Sequence, residues 1–518
     1  MILMQPSKIA KIDKFATEVL GIPARELMLR AAHAVANAVK ENVPTGGTVR
    51  IFSGKGNNGG DGYAAATLLM KDYDVVVYDV FGAGQKSDEG CYFLEKFLSL
   101  RGRVEVLFDV FTVRSDVEEC DCIIDAIFGT GFVGEYPRVA TDLAEIFSSS
   151  KASFKLAIDV PLGVDASLGC VSKATAYHAD ATVALGFVKP GLVSYPAKEY
   201  IGKLIYDNIG LHNDDILSNF ESHEYYIDSD IASRLLPRRP DNSNKGTFGK
   251  LLNVTGSSDF PGAAHLSLEA SLRGGVGCVT YLGEKELCAS LLSTFPEAIY
   301  KPLSLRNGDI AKTVDILVEL SLGHSATLIG SGSSRCEGVR LALESLLATD
   351  ASPLILDADA INLLSELPDR GREMIRRSPR QVILTPHPLE FSRISGISTE
   401  EIQQNRLAVA KEFAREYECI LVLKGAATVV TDGVTTYVNS SGSSALAKAG
   451  SGDVLAGVLS SLVASGLDPL SASALAVYFH GIAADVLSLE YSAIGVTPSD
   501  LPREIARQIA KTINHTPC

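Results

Sequence analysis

Short β-branched runs at 48–52, 74–80, 122–126 and 155–159 alternate with helical stretches, which predicts strands and helices in strict succession. That succession is the rhythm of a parallel sheet covered by helices. It stops at residues 209–230, where His212-Asn-Asp-Asp and Asn219-Phe-Glu-Ser-His-Glu are polar and poorly periodic. Such a stretch reads as a linker with little of its own to bury. The alternation resumes at 250–255, 326–330, 353–357, 381–384 and 419–424, and the chain beyond residue 424 reads as helix to the C terminus. The pattern predicts two α/β domains, 1–220 and 225–518. They share a rhythm but no residue-level period, so two fused folds are expected, not an internal duplication.

Length agrees, since 518 residues with 46% hydrophobic side chains are too many for a single core. The formal net charge of −15, without any long Lys or Arg run, leaves a nucleic-acid surface or a basic membrane anchor nothing to rest on. Small ligands are the expected partners. Nine cysteines, of which only Cys120 and Cys122 are close neighbours, form neither a disulfide framework nor a paired metal motif. They point to a reducing cytoplasm. The start, Met1-Ile-Leu-Met-Gln-Pro, lacks a basic leader, and no later segment is expected to span a bilayer.

The candidate chemistry sits in glycine-rich turns. Ala449-Gly-Ser-Gly-Asp-Val-Leu-Ala-Gly457 opens directly onto an apolar helix with one carboxylate at the junction. Backbone N–H groups at 450–452, added to the positive end of the helix dipole, can hold phosphate oxygens. Asp453 then faces the acceptor hydroxyl as its base, or, in the plainer reading, caps the helix. In the N-terminal half, Ser53-Gly-Lys-Gly-Asn-Asn-Gly-Gly-Asp-Gly62 follows a strand and precedes a helix expected to begin near Tyr63. A glycine loop at the carboxyl end of a strand is where open α/β sheets bind ligands. Asp125 and Asp159 end two further strands, and three neighbouring strand ends could converge on one pocket; alone, either Asp could merely cap a turn.

Together, Gly-Lys-Gly-Asn-Asn-Gly-Gly-Asp-Gly, the Asp before Phe-Gly-Thr-Gly, and Asp159-Val-Pro-Leu-Gly-Val-Asp165 resemble the epimerase domain of the bifunctional NAD(P)H-hydrate repair enzymes. The resemblance implies a Rossmann-like three-layer sandwich over about residues 1–210. It implies that substrate is held by Asn57, Asn58, Gly59, Gly60 and Asp61, and by Gly129, Thr130, Gly131, Phe132, Val133, Gly134 and Glu135. It further implies a potassium ion at Asn58, Asp125 and Leu162, and a catalytic Asp159 beside the nicotinamide ring. Leu162 stands where the family usually has Ser. If the ligand there is a backbone carbonyl, Leu can substitute; if it is the hydroxyl, affinity falls. Inversion at C6 by water loss and re-addition, or by ring opening, are both open.

The C-terminal half is similar to the ribokinase-like ADP- or ATP-dependent NAD(P)H-hydrate dehydratase, the usual fusion partner. The motifs are Lys245-Gly-Thr-Phe-Gly-Lys250, Gly262-Ala-Ala264, Asp357-Ala-Asp-Ala-Ile-Asn362, Thr385-Pro-His-Pro388, Leu423-Lys-Gly425 and the 449–457 turn. By that resemblance Ala263, Gly332, His387 and Asp453 contact the hydrated nucleotide. Lys424, Gly425, Ala426, Ala427, Thr428 and Gly452 contact ADP or ATP, with magnesium shielding the donor phosphates. His387, between two prolines, orients ligand in this reading and is a partly buried structural histidine in the plainer one. Three loops depart from the family, at 329–334, Leu389 and 442–447. The implied activity is epimerisation of NADHX and NADPHX, then dehydration of the S epimer through phosphorylation and elimination, by a cytoplasmic homo-oligomer. The alternative is a ribokinase-type small-molecule kinase fused to a nucleotide-sensing module.

Overall fold

The computed structural model describes residues 1–82, 86–132 and 134–515. The chain forms two compact units, Ile2–Glu224 and Tyr225–Cys518, the latter including Met1.

The first unit is built on seven strands: β1 (Thr48–Ser53), β2 (Asp74–Asp79), β3 (Arg103–Val106), β4 (Cys122–Ala126), β5 (Phe154–Ile158), β6 (Ala181–Leu185) and β7 (Lys203–Asp207). Their order is β3-β2-β1-β4-β5-β6-β7, and every pairing is parallel. Successive residues of a strand face opposite ways, so Val49, Ile51, Cys122 and Ile124 join one core, whereas Phe52, Ile123 and Ala157 join the other. Helices Ala24–Asn42 and Asn57–Leu69 bury their alanine-rich faces in the first core, and helix Arg138–Ser149 buries Leu143 and Phe147 in the second. Each large apolar side chain enclosed this way contributes about 1.5–3 kcal/mol, so the three layers hold together by area.

The glycine-rich stretch behaves differently from the expectation. Its helix begins at Asn57 with Gly56 as N-cap, not near Tyr63. Gly59 and Gly62 therefore lie inside a helix, where glycine costs about 1 kcal/mol each. The reason is close packing: a Cβ on Gly59 would lie 2.0 Å from the Gly54 carbonyl, and one on Gly62 would lie 2.8 Å from Ala126 Cβ. The segment read as a linker is also folded. Asn213 caps helix Asp214–Asn219 by accepting from the Ile216 N–H (2.9 Å), and Ile216 is fully buried with Met4, Ile9 and Phe220. A helix of six residues is too short to show a period, so the sequence could not announce it.

The second unit carries β8 (Glu224–Ile227, whose first residue closes the first unit), β9 (Lys250–Val254), β10 (Cys278–Gly283), β11 (Ile299–Pro302), β12 (Ala326–Ile329), β13 (Leu354–Leu356), β14 (Val382–Leu384), β15 (Ile420–Leu423), β16 (Val429–Thr431) and β17 (Thr436–Asn439). The order is β11-β10-β9-β12-β13-β14-β15-β16-β17-β8. β9 to β15 pair in parallel, while β15, β16 and β17 run antiparallel through a hairpin that the helical reading of the C-terminal region missed. Its strands are only three and four residues long, with Gly433 at φ +90° in the turn. One face packs helices Pro261–Arg273, Ser451–Ala464, Pro469–Gly495 and Leu501–His515 against Leu251, Leu328, Ile355 and Val422. Contrary to the expectation that no segment could span a bilayer, the 27-residue helix Pro469–Gly495 is long and apolar enough to do so. It is apolar because it is a core helix, with 78% of its most apolar stretch buried inside the protein.

Candidate active sites

In the first unit strand order reverses between β1 and β4, and the loops leaving those strands diverge to open a crevice at their carboxyl ends. A cavity of about 920 Å³ lies there. Asn57, Asn58 and Asp61 enter it from the helix after β1, Gly129 to Phe132 from the loop after β4, and Asp159 from the turn after β5. Gly59 and Gly60 do not line it and serve packing, Gly60 against Met28. Gly134 and Glu135 also lie off the cavity, and Val133 lies outside the described residues.

Asp159 has φ +67°, a left-handed backbone that side chains other than glycine adopt only at a cost, and its carboxylate is densely partnered. One oxygen accepts from the Thr130 N–H (3.0 Å) and the Thr130 hydroxyl; the other accepts from the Lys189 ammonium. Lys189 is 1% exposed and also donates to the Leu185 carbonyl at 2.9 Å. Burial alone would raise the Asp159 carboxyl, but Lys189 and the Thr130 donors outweigh it and hold the group below the usual carboxylate range. Lys189 was not among the candidates, although a lone lysine in Phe187-Val-Lys-Pro-Gly191 is a legible signal. Asp13, on helix Pro6–Glu18, also lines the cavity; burial, then Asp159, push its carboxyl up to about 6. Nothing in the sequence of that amphipathic helix marks it.

Asp125 does not line this cavity and is fully buried near the end of β4. It accepts from the N–H groups of Ile127 (3.1 Å) and Leu162 (2.7 Å), and burial still raises it to about 7. Asn58 is 7% exposed, its Nδ2 donates to the Phe128 carbonyl (3.0 Å), and its Oδ1 has no partner. A buried carboxylate without a cation and a buried amide oxygen without a donor are a donor set that a monovalent ion would satisfy. Leu162 is 1% exposed, with its side chain in the apolar core.

In the second unit the reversal falls between β9 and β12. The loops after these strands bring Gly332 against Ala263: a Cβ on Gly332, at φ +60°, would lie 2.6 Å from Ala263 Cβ. Asp357, just past β13, is 1% exposed and accepts from Ser331 (2.8 Å), Thr385 (2.6 Å) and the Lys424 ammonium (3.1 Å). Lys424 in turn stands at the start of helix Ser451–Ala464, since a Cβ on Gly452 would lie 3.3 Å from its Nζ. Burial works against the Lys424 charge, but Asp357 and Glu390 more than restore it and raise its pKa.

That helix start corrects one expectation. The Ser451 N–H bonds to the Lys448 carbonyl (3.2 Å), so among the described residues the N–H groups left free at this turn are those of Gly450, Gly452 and Asp453. Asp453 is not the cap; Gly450 is, at φ +97°. Burial and then Asp357 raise the Asp453 carboxyl to about 7, with Lys424 opposing. His387, exposed at the start of helix Pro388–Ser395, caps it: its Nδ1 accepts from the Glu390 N–H (3.2 Å) while Glu390 accepts from the His387 N–H (2.9 Å). Burial lowers its pKa. Gly425, at φ +136°, leaves room for Arg406, which donates to the carbonyls of Leu423 (3.0 Å) and Lys424 (2.9 Å) and fixes the strand end. Thr428 bonds back to the Gly425 carbonyl (2.8 Å), closing the 424–428 turn around exposed Ala426 and buried Ala427. Arg406 also escaped the sequence reading, because an arginine in an amphipathic helix looks solvated.

Two family models match the chain, one described as YjeF-related protein N-terminus over residues 24–191, the other as NAD(P)H-hydrate dehydratase over residues 251–507. A bifunctional NAD(P)H-hydrate repair enzyme of Escherichia coli (strain K12) is 32% identical over 496 residues, 94% of this chain and 90% of its own. A second of that name, from Coxiella burnetii, is 31% identical over 508 residues, 96% and 98% of the two chains. Among solved structures, a ribokinase-like superfamily protein of Enterococcus faecalis covers 56% of this chain and 97% of its own, at 25% identity and a TM-score of 0.50.

Proposed function

The chain belongs to the bifunctional NAD(P)H-hydrate repair enzymes, and from that membership we propose a division of labour between its two sites. The 2–224 unit interconverts the R and S epimers of NADH and NADPH hydrated at C6. The 225–518 unit dehydrates the S epimer with ADP or ATP. The observation that carries this reading is the start of helix Ser451–Ala464, where a carboxyl at about 7, a lysine ammonium and free N–H groups meet.

Hydroxide leaves poorly, so the hydrated ring needs its C6 oxygen converted into a leaving group. Asp453 takes the proton of that hydroxyl as the oxygen attacks the terminal phosphorus of the donor, and the donor's phosphorus–oxygen bond breaks. The N–H groups of Gly452 and Asp453, with Lys424, face the charge on the phosphoryl oxygens in flight. Phosphate then departs from C6 as the ring nitrogen's lone pair forms the double bond, and loss of a C5 proton restores the dihydronicotinamide. Asp357 keeps Lys424 pointed at the helix start. No group of three carboxylate, His or Cys side chains that could hold a metal gathers among the described residues. Magnesium would come in on the donor's phosphates, whose charge it would shield.

Asn58 Oδ1 and the Asp125 carboxylate would hold potassium in the first unit. Leu162 has no side-chain oxygen and its side chain lies in the apolar core, so any contribution it makes to that ion is through its main-chain carbonyl. We further propose a homo-oligomer working in the cytoplasm; the free thiols among the described cysteines support a reducing compartment. The test is direct. Purified protein mixed with both hydrate epimers and each donor should restore reduced-nicotinamide absorbance with ADP or ATP and not without. Restoration independent of donor would refute the phosphorylation route.

A further inference from the structure

Three aspartates line the cavity of the first unit together with one buried ammonium: Asp13 on helix Pro6–Glu18, Asp61 on helix Asn57–Leu69, and Asp159 after β5. Lys189, the buried cation, is taken up by Asp159. The other charged groups on the cavity wall do not reach Asp61: Lys14 lies 3.8 Å from Glu18, Lys55 lies over the Phe81 ring at 5.7 Å, and Glu89 carries the same sign. Among the described residues none donates a hydrogen bond to the Asp61 carboxyl. We propose that Asp61 is the proton donor of the epimerisation, facing an Asp159 that Lys189 keeps as a carboxylate. This rests on reading the unit as the epimerase.

Electrostatics agrees with the geometry. Burial, then Asp159 and Asp13, hold the Asp61 carboxyl well above the usual carboxylate range, whereas Asp159 is held below it. Two carboxyls driven apart by their surroundings divide into an acid and a base. Asp61 gives its proton to the C6 hydroxyl; the C6–O bond breaks, its electron pair leaves with water, and the ring nitrogen's lone pair forms the N1=C6 double bond. Water then adds to the other face of C6, the double-bond pair returns to N1, and the water's proton goes to Asp159. The enzyme is left with Asp61 ionised and Asp159 protonated. That state runs the reverse inversion, or is reset by proton exchange with solvent through the cavity.

The experiment is epimer exchange by the full chain as a function of pH, for wild type, D61N and D61E. Wild type should show activity falling at both pH extremes, the basic limb reporting Asp61. D61N should lose about 10²- to 10⁴-fold in kcat with KM little changed, and its remaining rate should lack the basic limb; D61E should recover part of the rate. Wild-type-like kcat in D61N, or a basic limb that persists in it, overturns the assignment of Asp61 alone. Should D61N fail to fold, a wild-type profile without a basic limb overturns it equally. Wild type that exchanges no epimers removes the epimerase reading and this proposal with it.

Discussion

Asp159, in the turn just past β5, and Asp453, in the first turn of helix Ser451–Ala464, are the carboxylates proposed as bases in their two units, yet their charges are handled in opposite ways. Asp159 has its own lysine and two donors from Thr130, and is held ionised. Asp453 stands beside a lysine that belongs to Asp357, and its carboxyl rises to about 7. In both units the partner of the nearest lysine helps set the protonation state of the acid. For the first unit this favours a permanent base; for the second, a base that accepts and releases its proton near neutral pH.

D453N probes this contrast most severely. The substitution keeps the size of the side chain and removes a carboxylate from the first turn of a helix, worth about 0.3–1 kcal/mol, so folding should survive. Loss of a positioned base should lower dehydration by about 10²- to 10⁴-fold, with epimer exchange unchanged. Near wild-type recovery of reduced cofactor would remove Asp453 from the mechanism.

The two lysines test the rule more finely. In Lys189→Met the Asp159 carboxyl loses its main counter-charge and rises, so the acid limb of epimerisation should move to higher pH and the rate near neutrality fall about 10-fold or more. In Lys424→Met the ammonium opposing the rise of Asp453 is gone, so the acid limb of dehydration, expected near pH 7 in wild type, should also move up. Each change should leave the other reaction's profile alone. A shift in both profiles from one substitution would contradict independent sites.

A smaller effect is expected from the ion. Replacing potassium by a large organic cation should slow epimerisation about 10-fold and leave its pH limbs in place, and Asp125→Ala should do the same in the presence of potassium. Equal rates in both media would mean that Asp125 and Asn58 are satisfied by water.

Which features the residues announced was a matter of range along the chain. Strands such as 122–126 and 420–423 are continuous apolar runs, legible because both faces of a parallel sheet are covered. Glycine turns and strand-end acids were legible as types, and the structure gathers most of them around two crevices. Lys189 stands out as a lone lysine but its role does not, and Arg406 does not stand out at all, since both roles depend on partners 30 and 17 residues away in the chain. The hairpin of β16 and β17 and helix Asp214–Asn219 are too short to carry a period.

That short helix sets the limits of independence between the two units. Cutting between Glu224 and Tyr225 should leave epimerisation in the N-terminal piece and dehydration in the other within about threefold of the full chain, as expected of domains with their own cores. A piece ending at Gly210 should behave worse than one ending at Glu224, although both contain every residue proposed to act on substrate. It lacks Ile216, Leu217 and Phe220, which cluster with Met4 and with Ile9 and Phe15 of the helix that carries Asp13. At about 1.5–3 kcal/mol for a fully buried side chain of this kind, their loss is a large fraction of a domain's net stability. Denaturant unfolding of the two pieces decides it. Equal midpoints would restore the polar stretch to the linker that its composition suggests; a lower midpoint for the shorter piece, with catalysis intact in the longer, makes it part of the first domain's core.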